Sequence, residues 1–356
     1  MALPHLHPQL HRHPPHSLPA NNNPHLLLLR HCSLNPNQEH FSLRFDDNTF
    51  NPYTHFKSPF NSQYFLRVVG TCNGLLCLSD DWFGDKHRVI LWNPLIQRYV
   101  TLPAPNFTVH AFGPYQSFLG FGFDSLTNNY KVVRVVYPHK LDRSMLHCEI
   151  SPPKVEVYSL RTRSWKPIAG SVPSCNMVEF FWQHVFVKGA AHWIGYNRRQ
   201  GEGKTHNVIL CFGMGNEAFG KMGLPEAVSW TKLYIVDMPD GIPNVFGFRR
   251  SGELLMATRG GDFVSYHRGS KRVEKLGMRT VKGSIYAESY VESLVLLDGM
   301  NGDFRGQCSL VDSLEDSQGG QKEEVDEETL ERAFNRNFLS AAAFLTGSLL
   351  EFLIRN

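Results

Sequence analysis

Apolar positions fall in short runs along most of the chain, cut by clusters of Asn, Pro, Asp and Gly. Residues 26–29, 41–45, 64–69, 75–78, 89–92, 118–123, 131–137 and 154–158 are apolar or alternate between apolar and polar. So are 185–188, 191–194, 208–212, 232–236, 245–248, 253–257, 263–266, 284–286 and 293–297. Period-two runs of this length bounded by turn formers predict strands, and no amphipathic helix intervenes. Many short strands at near-regular spacing predict an antiparallel sandwich, barrel or propeller.

A second pattern is laid over the first. Five times an aromatic residue is followed, seven positions later, by another aromatic or a β-branched residue: Trp92 and Tyr99, Phe123 and Tyr130, Tyr158 and Trp165, Phe212 and Phe219, Tyr266 and Val273. Directly opposed residues of a hairpin with a two- or four-residue loop are separated by odd numbers, so each pair is expected to face across a hairpin. Apolar residues Leu102, Ile168, Met222 and Leu276 follow four of these hairpins by three positions. The first members of those four pairs are 66, 54 and 54 residues apart, which fits blade-like sheets with variable loops. Radial blades also leave few exposed strand edges.

The ends differ from this body. Residues 1–24 are rich in His, Pro and Asn and are expected to be disordered. Their imidazoles, including His5, His7, His11, His13 and His16, have no evident carboxylates to orient a metal. Residues 25–305 read as the β domain and 306–356 as an acidic, then apolar, tail. Residues 311–356 hold ten acidic and four basic side chains, so the formal +3 of the whole chain conceals +9 on residues 1–310. With no dense Lys/Arg block, that basic body predicts a solvated surface rather than a nucleic-acid site. The apolar stretch 338–354 contains Glu351 and falls short of the roughly 20 residues of a bilayer span, so no membrane partner is expected. Seven cysteines at irregular spacing, with no Cys-x-x-Cys, argue for a reducing compartment and against zinc or a disulfide framework. A cytoplasmic or nuclear location follows. Buried apolar packing is the expected role of Cys72 and Cys77.

Motifs in sequence order carry a family resemblance. Val68-Val-Gly-Thr-Cys-Asn-Gly-Leu-Leu-Cys-Leu78 precedes Ile90-Leu-Trp-Asn-Pro94. Gly120-Phe-Gly-Phe-Asp124, Asn129-Tyr-Lys-Val-Val133 and Val155-Glu-Val-Tyr-Ser-Leu160 follow, and then Val185-Phe-Val-Lys-Gly-Ala-Ala-His-Trp193, Ser229-Trp-Thr-Lys232 and Tyr290-Val-Glu-Ser-Leu294. Over residues 21–298 this resembles the F-box-associated domain of plant F-box proteins. The residue types fit scaffold roles: Asn73-Gly74 for a tight turn, Asn93-Pro94 to open another, and Trp92, Trp165 and Trp193 for sheet packing.

The resemblance implies an all-β, propeller-type interaction domain that captures proteins for ubiquitination by SCF-type ligases and performs no bond chemistry. It implies a target protein, a Skp-type adaptor and a cullin as partners, and no cofactor. Two departures stand out. Residues 1–20 do not resemble the helical F-box, so adaptor docking is not expected and an F-box-less decoy is an alternative. Only Glu226, Ala227 and Val228 separate Leu224-Pro225 from Ser229–Lys232, where the family has more. One incomplete blade is therefore expected, leaving the array open between the last two hairpins, and a degenerate member without a stable fold is a further alternative. Catalysis on a β scaffold is the least favoured class. There is no Gly-x-Ser-x-Gly, phosphate-binding Gly loop or His-Glu-x-x-His, and the scattered His184, His192, Asp237 and Asp262 are its only candidates. No catalytic, cofactor or metal residue is assigned. The loops 80–87, 106–116, 138–153 and 198–206 are the candidates for target recognition.

Overall fold

The computed structural model describes residues 25–32, 39–58, 66–80, 88–108, 115–138, 153–169, 177–178, 184–198, 205–223, 244–258, 260–279 and 285–295. Both tails and residues 224–243 lie outside them. So do the predicted strand 232–236 and the incomplete blade expected after Pro225.

The described residues form β-strands arranged in five antiparallel sheets. The chain opens with β1 (Leu26–Cys32), β2 (Glu39–Phe45) and β3 (Pro52–Lys57). Blade I follows as β4 (Arg67–Cys72), β5 (Leu75–Ser79), β6 (Val89–Asn93) and β7 (Arg98–Thr101). Blade II is β8 (Tyr115–Asp124), β9 (Asn129–Pro138), β10 (Lys154–Ser159) and β11 (Ser164–Pro167). Blade III is β12 (Met177–Val178), β13 (Val185–Val187), β14 (Ala190–Arg198), β15 (Thr205–Gly213) and β16 (Ala218–Gly223). Blade IV is β17 (Asn244–Phe248), β18 (Leu254–Ala257), β19 (Asp262–His267) and β20 (Arg272–Arg279). The last strand, β21 (Tyr286–Tyr290), pairs with β1, and β21-β1-β2-β3 make blade V. Two ends of the domain are thereby joined in one sheet, with Leu28 opposite Glu288.

All five seven-residue pairs oppose one another across hairpins: Trp92 and Tyr99, Phe123 and Tyr130, Tyr158 and Trp165, Phe212 and Phe219, Tyr266 and Val273. Each hairpin has a four-residue loop whose last residue adopts positive φ: Gln97, Asn128, Arg163, Glu217 and Lys271 at 50–54°. A side chain one position after the first aromatic often caps the loop. Asn93 Oδ1 accepts from Leu95 N–H at 3.1 Å, Asp124 Oδ1 from Leu126 N–H at 3.0 Å, and His267 Nδ1 from Ser270 N–H at 3.0 Å. Asn73 and Gly74 both have positive φ, as the tight turn requires.

The core lies between blades. Val69, Leu75 and Leu91 of blade I meet Leu119, Phe121 and Val132 of blade II. Phe118, Val133 and Val157 meet Trp193, Leu210 and Phe212. Leu28, Phe41 and Leu43 of blade V meet Ile90 and Trp92, and Leu27 and Leu29 meet Leu255 and Phe263 of blade IV. The inner strands pack in the order β17, β21, β4, β8 and β13/β14. Each of the three tryptophans singled out in the sequence bridges two blades. Trp92 packs edge-on against Phe41 at 4.9 Å, Trp165 Nε1 donates to Pro103 O at 2.8 Å, and Trp193 Nε1 donates to Leu119 O at 3.0 Å.

One expectation is corrected and one strand is added. Residues 293–295, read as part of a strand, are not in a sheet; they leave β21 and accept hydrogen bonds from Asn93 Nδ2 at 2.8 and 3.0 Å. β3 was not foreseen, because an outer strand that starts at a proline and carries polar residues has little apolar periodicity.

Candidate interaction surface

Antiparallel order sorts the connections into two ends. One end carries the tight turns 46–51, 73–74, 94–97, 125–128, 160–163, 188–189, 214–217, 249–253 and 268–271. The opposite end receives connections 33–38, 58–66, 80–88, 102–114, 139–153, 199–204, 224–243 and 280–285, together with the short 258–261. All four candidate recognition loops belong to this second end.

Contacts between turns show that the blades share this orientation. Asn93 holds the backbone after β21. Asn73 hydrogen-bonds Tyr130. Lys131 Nζ donates to Met214 O and to Glu217 Oε1, both at 2.8 Å. Arg249 pairs with Asp46 at 3.1 Å and Glu253 at 2.9 Å, and Arg250 N–H donates to Asp46 Oδ2 at 2.9 Å.

The buried charges of the tight-turn end are matched within the scaffold. Lys131 is buried between Asp124 at 3.0 Å and Glu217 at 2.8 Å. Burial alone would favour the neutral amine, but Glu217 and Asp124 outweigh it and raise the Lys131 pKa. Burial likewise opposes ionisation of Asp124, yet bonds from Thr127 and Lys131 hold its carboxyl below the ordinary value. Such groups rigidify a scaffold and leave little for a partner.

At the loop end a buried pair anchors a candidate loop. Arg134 of β9 and Glu156 of β10 are register partners joined at 2.7 Å. Arg134 also donates to Phe107 O at 2.8 Å and to Tyr115 Oη at 2.7 Å. Glu156 Oε2 accepts from Asn106 N–H at 2.9 Å and from its Nδ2 at 3.1 Å. One ion pair thus holds both ends of the 106–116 loop, with its charge satisfied by several partners. Most of that loop, and of the other three, lies outside the described residues.

Three of the four candidates for catalysis lie among the described residues, each with structural partners. His184 sits among three inner strands, its Nδ1 2.9 Å from Val69 O and its Nε2 3.0 Å from Phe121 N. A neutral ring with the proton on Nδ1 donates to the first and accepts from the second, although Nε2 also lies 2.8 Å from Phe121 O. Burial, the largest influence, pushes its pKa down to about 4. A Cβ at Gly70 would stand 2.5 Å from this ring, so glycine admits the histidine. His192 lies close enough to His184 for their charges to interact and has Nδ1 3.3 Å from Val185 O. Asp262, in blade IV, pairs with Lys275 at 2.7 Å and Arg279 at 3.2 Å. Asp237 lies outside the described residues. Cys72, Cys77 and Cys211 are unbridged, and burial pushes the Cys72 thiol up to about 12. Sequence reading passed over Lys131, Arg134 and Glu156, though a charged residue inside an apolar strand run was the visible signal.

A sequence model described as the F-box associated beta propeller domain matches residues 30–236, more than half of the chain. The chain belongs to this F-box-associated family. Among curated proteins it is 26% identical over 295 residues to F-box protein CPR1 of Arabidopsis thaliana, covering 66% of this chain and 69% of that protein. It is 25% identical over 307 residues to F-box protein At4g22390 of the same plant, covering 69% and 72%. Among solved structures it resembles TolB from Acinetobacter baumannii, with 9% identity, a TM-score of 0.32, and coverage of 71% of this chain and 52% of that one. That last likeness carries no functional argument.

Proposed function

We propose that this F-box-associated domain is a target-capturing module of the SCF ubiquitin-ligase system and binds its target protein with the loop end of the propeller. The observation that carries this is the segregation of the connections. The tight-turn end is laced together by Asn93, Lys131 and Arg249, whereas the loop end receives the longer connections between paired strands. Such a receptor acts by concentrating target lysines near a conjugating enzyme, and it needs no nucleophile or general base of its own.

The test replaces 81–87, 109–114, 139–152 and 199–204, one at a time, with short Gly/Ser linkers in the full chain. Proximity labelling then compares each variant with the intact protein. The expected result is loss of specific neighbours in at least one variant, with the thermal transition retained. Unchanged neighbours in all four would overturn the assignment of this face. Co-purification with a Skp-type adaptor reads the second half of the proposal: adaptor binding marks a delivering receptor, and its absence marks a decoy that holds targets without delivering them.

A further inference from the structure

The junction between blades IV and V changes character from axis to rim. Near the axis it is apolar, with Leu27, Leu29 and Ala287 against Leu255 and Phe263. Toward the rim the same face of blade V turns basic. His31 of β1, His40 and Arg44 of β2 and His55 of β3 face Gly277, Met278 and Arg279 of β20 across a cleft of about 300 Å³. Strand alternation places Ser42 on the face that carries His40 and Arg44.

No carboxylate lines this cleft among the described residues. Two acidic side chains stand beside it, each paired with a base: Asp262 is shared between Lys275 at 2.7 Å and Arg279 at 3.2 Å, and Glu39, next to His40, pairs with Arg30 at 2.7 Å. The contrast with Lys131 and Arg249 is plain, since each of those is matched by two carboxylates. His31 Nδ1, Ser42 Oγ and Arg44 Nε are buried without a hydrogen-bond partner among the described residues. Buried polar atoms left in this state cost free energy that a bound hydrogen-bonding group would recover, and Arg44 Nε is a donor whatever the tautomer of His31. The His31 and His40 rings stack at 5.2 Å. Burial first, then the charges of His40, Arg44, His55 and Arg30, pushes the His31 pKa down to about 4.

We propose that this cleft is a binding site for a phosphate-type oxyanion, held by Arg44 and by the imidazoles of His31, His40 and His55. Several convergent donors, a guanidinium among them, and no competing carboxylate are the chemistry that such a group needs. His31, His40 and Arg279 stand at the strand ends beside connections 33–38 and 280–285. The cleft therefore lies toward the loop end of the junction, and its ligand is either a free phosphate or a phosphorylated side chain.

The test is calorimetric titration of the full chain with inorganic phosphate, repeated with sulfate. The expected result is saturable binding to one site at about millimolar concentration or tighter. The H40Q/H55Q variant should weaken it about tenfold or more, the loss of hydrogen bonds to a charged group. Its thermal transition shows that the variant is folded, and His55 is exposed enough to be replaced safely. R161Q, which removes an exposed charge at the tight-turn end, should leave binding unchanged. Competition by a phosphoserine peptide, but not by its unphosphorylated form, would identify a protein-borne phosphate. Competition by neither would identify a free one. Absence of saturable binding, or equal affinity in H40Q/H55Q, would overturn the proposal. Neither result bears on the loop replacements, so the target-capture reading stands or falls separately.

Discussion

Arg134 and Glu156 face each other across β9 and β10, 2.7 Å apart, with side chains 2% and 0% exposed. Removing one partner strands a buried charge. Arg134→Met is expected to cost about 3–5 kcal/mol in denaturant unfolding. The double variant Arg134→Met/Glu156→Leu should cost less than that single change, because no charge is left unpaired. It should nevertheless free the loop. Hydrogen exchange at the Asn106 amide, which donates to Glu156 Oε2, ought to accelerate in the double variant. A protected Asn106 there would show that the ion pair does not anchor the loop.

The hairpin loops carry a cost that a glycine would remove. Lys271 and Arg163 sit at φ 53° and 54°, where a side chain is strained by about 1–2 kcal/mol. Lys271→Gly and Arg163→Gly should each stabilise the protein by about 0.5–1 kcal/mol, the gain being reduced by the greater freedom of the unfolded chain. Asn128→Gly should be nearly neutral, since Asn tolerates this conformation. Equal effects at all three positions in thermal unfolding would contradict this account.

His184 links stability to pH. Its pKa falls from 6.5 to about 4 on folding, and that of His31 does the same. Between those pH values the unfolded chain binds protons that the folded chain refuses. Stability is thus full above about pH 6.5 and declines, by up to a few kcal/mol per group, as pH drops toward 4. The buried carboxyls of Glu39 and Glu288, whose pKa values are raised mainly by burial, act in the opposite sense. The difference between wild type and His184→Gln isolates the histidine. That variant should be less stable at pH 7.5 and show a shallower decline with acid, as read by urea midpoints. Parallel curves would remove His184 from the account.

Closure of blade V rests on β21. Ending the chain at residue 285 leaves β1 as an unpaired edge and uncovers the apolar junction of Leu27 and Leu29 with blade IV. Such a chain should bind ANS and lose a sharp thermal transition, whereas the full chain unfolds cooperatively. An unchanged transition would mean that the β1–β21 pairing contributes little.

Much of this architecture was legible because it is local. Trp92 and Tyr99, or Tyr158 and Trp165, are brought together by a four-residue loop, and the spacing that this loop demands is written into the chain. The Asn73-Gly74 turn is legible for the same reason. β3 was not, since an exposed outer strand needs no apolar face. The loop anchor was not either: Arg134 and Glu156 look like surface charges until β9 and β10 are set in register and covered by residues 106–107.

By itself the sequence determined most of the strands, their hairpins and the family, because period-two patterning and turn chemistry act over a few residues. Only the tertiary structure decided the rest. It paired β21 with β1, sorted tight turns and long loops to opposite ends, and set His31, His40, Arg44 and His55 around one cleft opposite β20. Those relations join residues as far apart as Leu28 and Glu288, and no local rule of spacing reaches across such a distance.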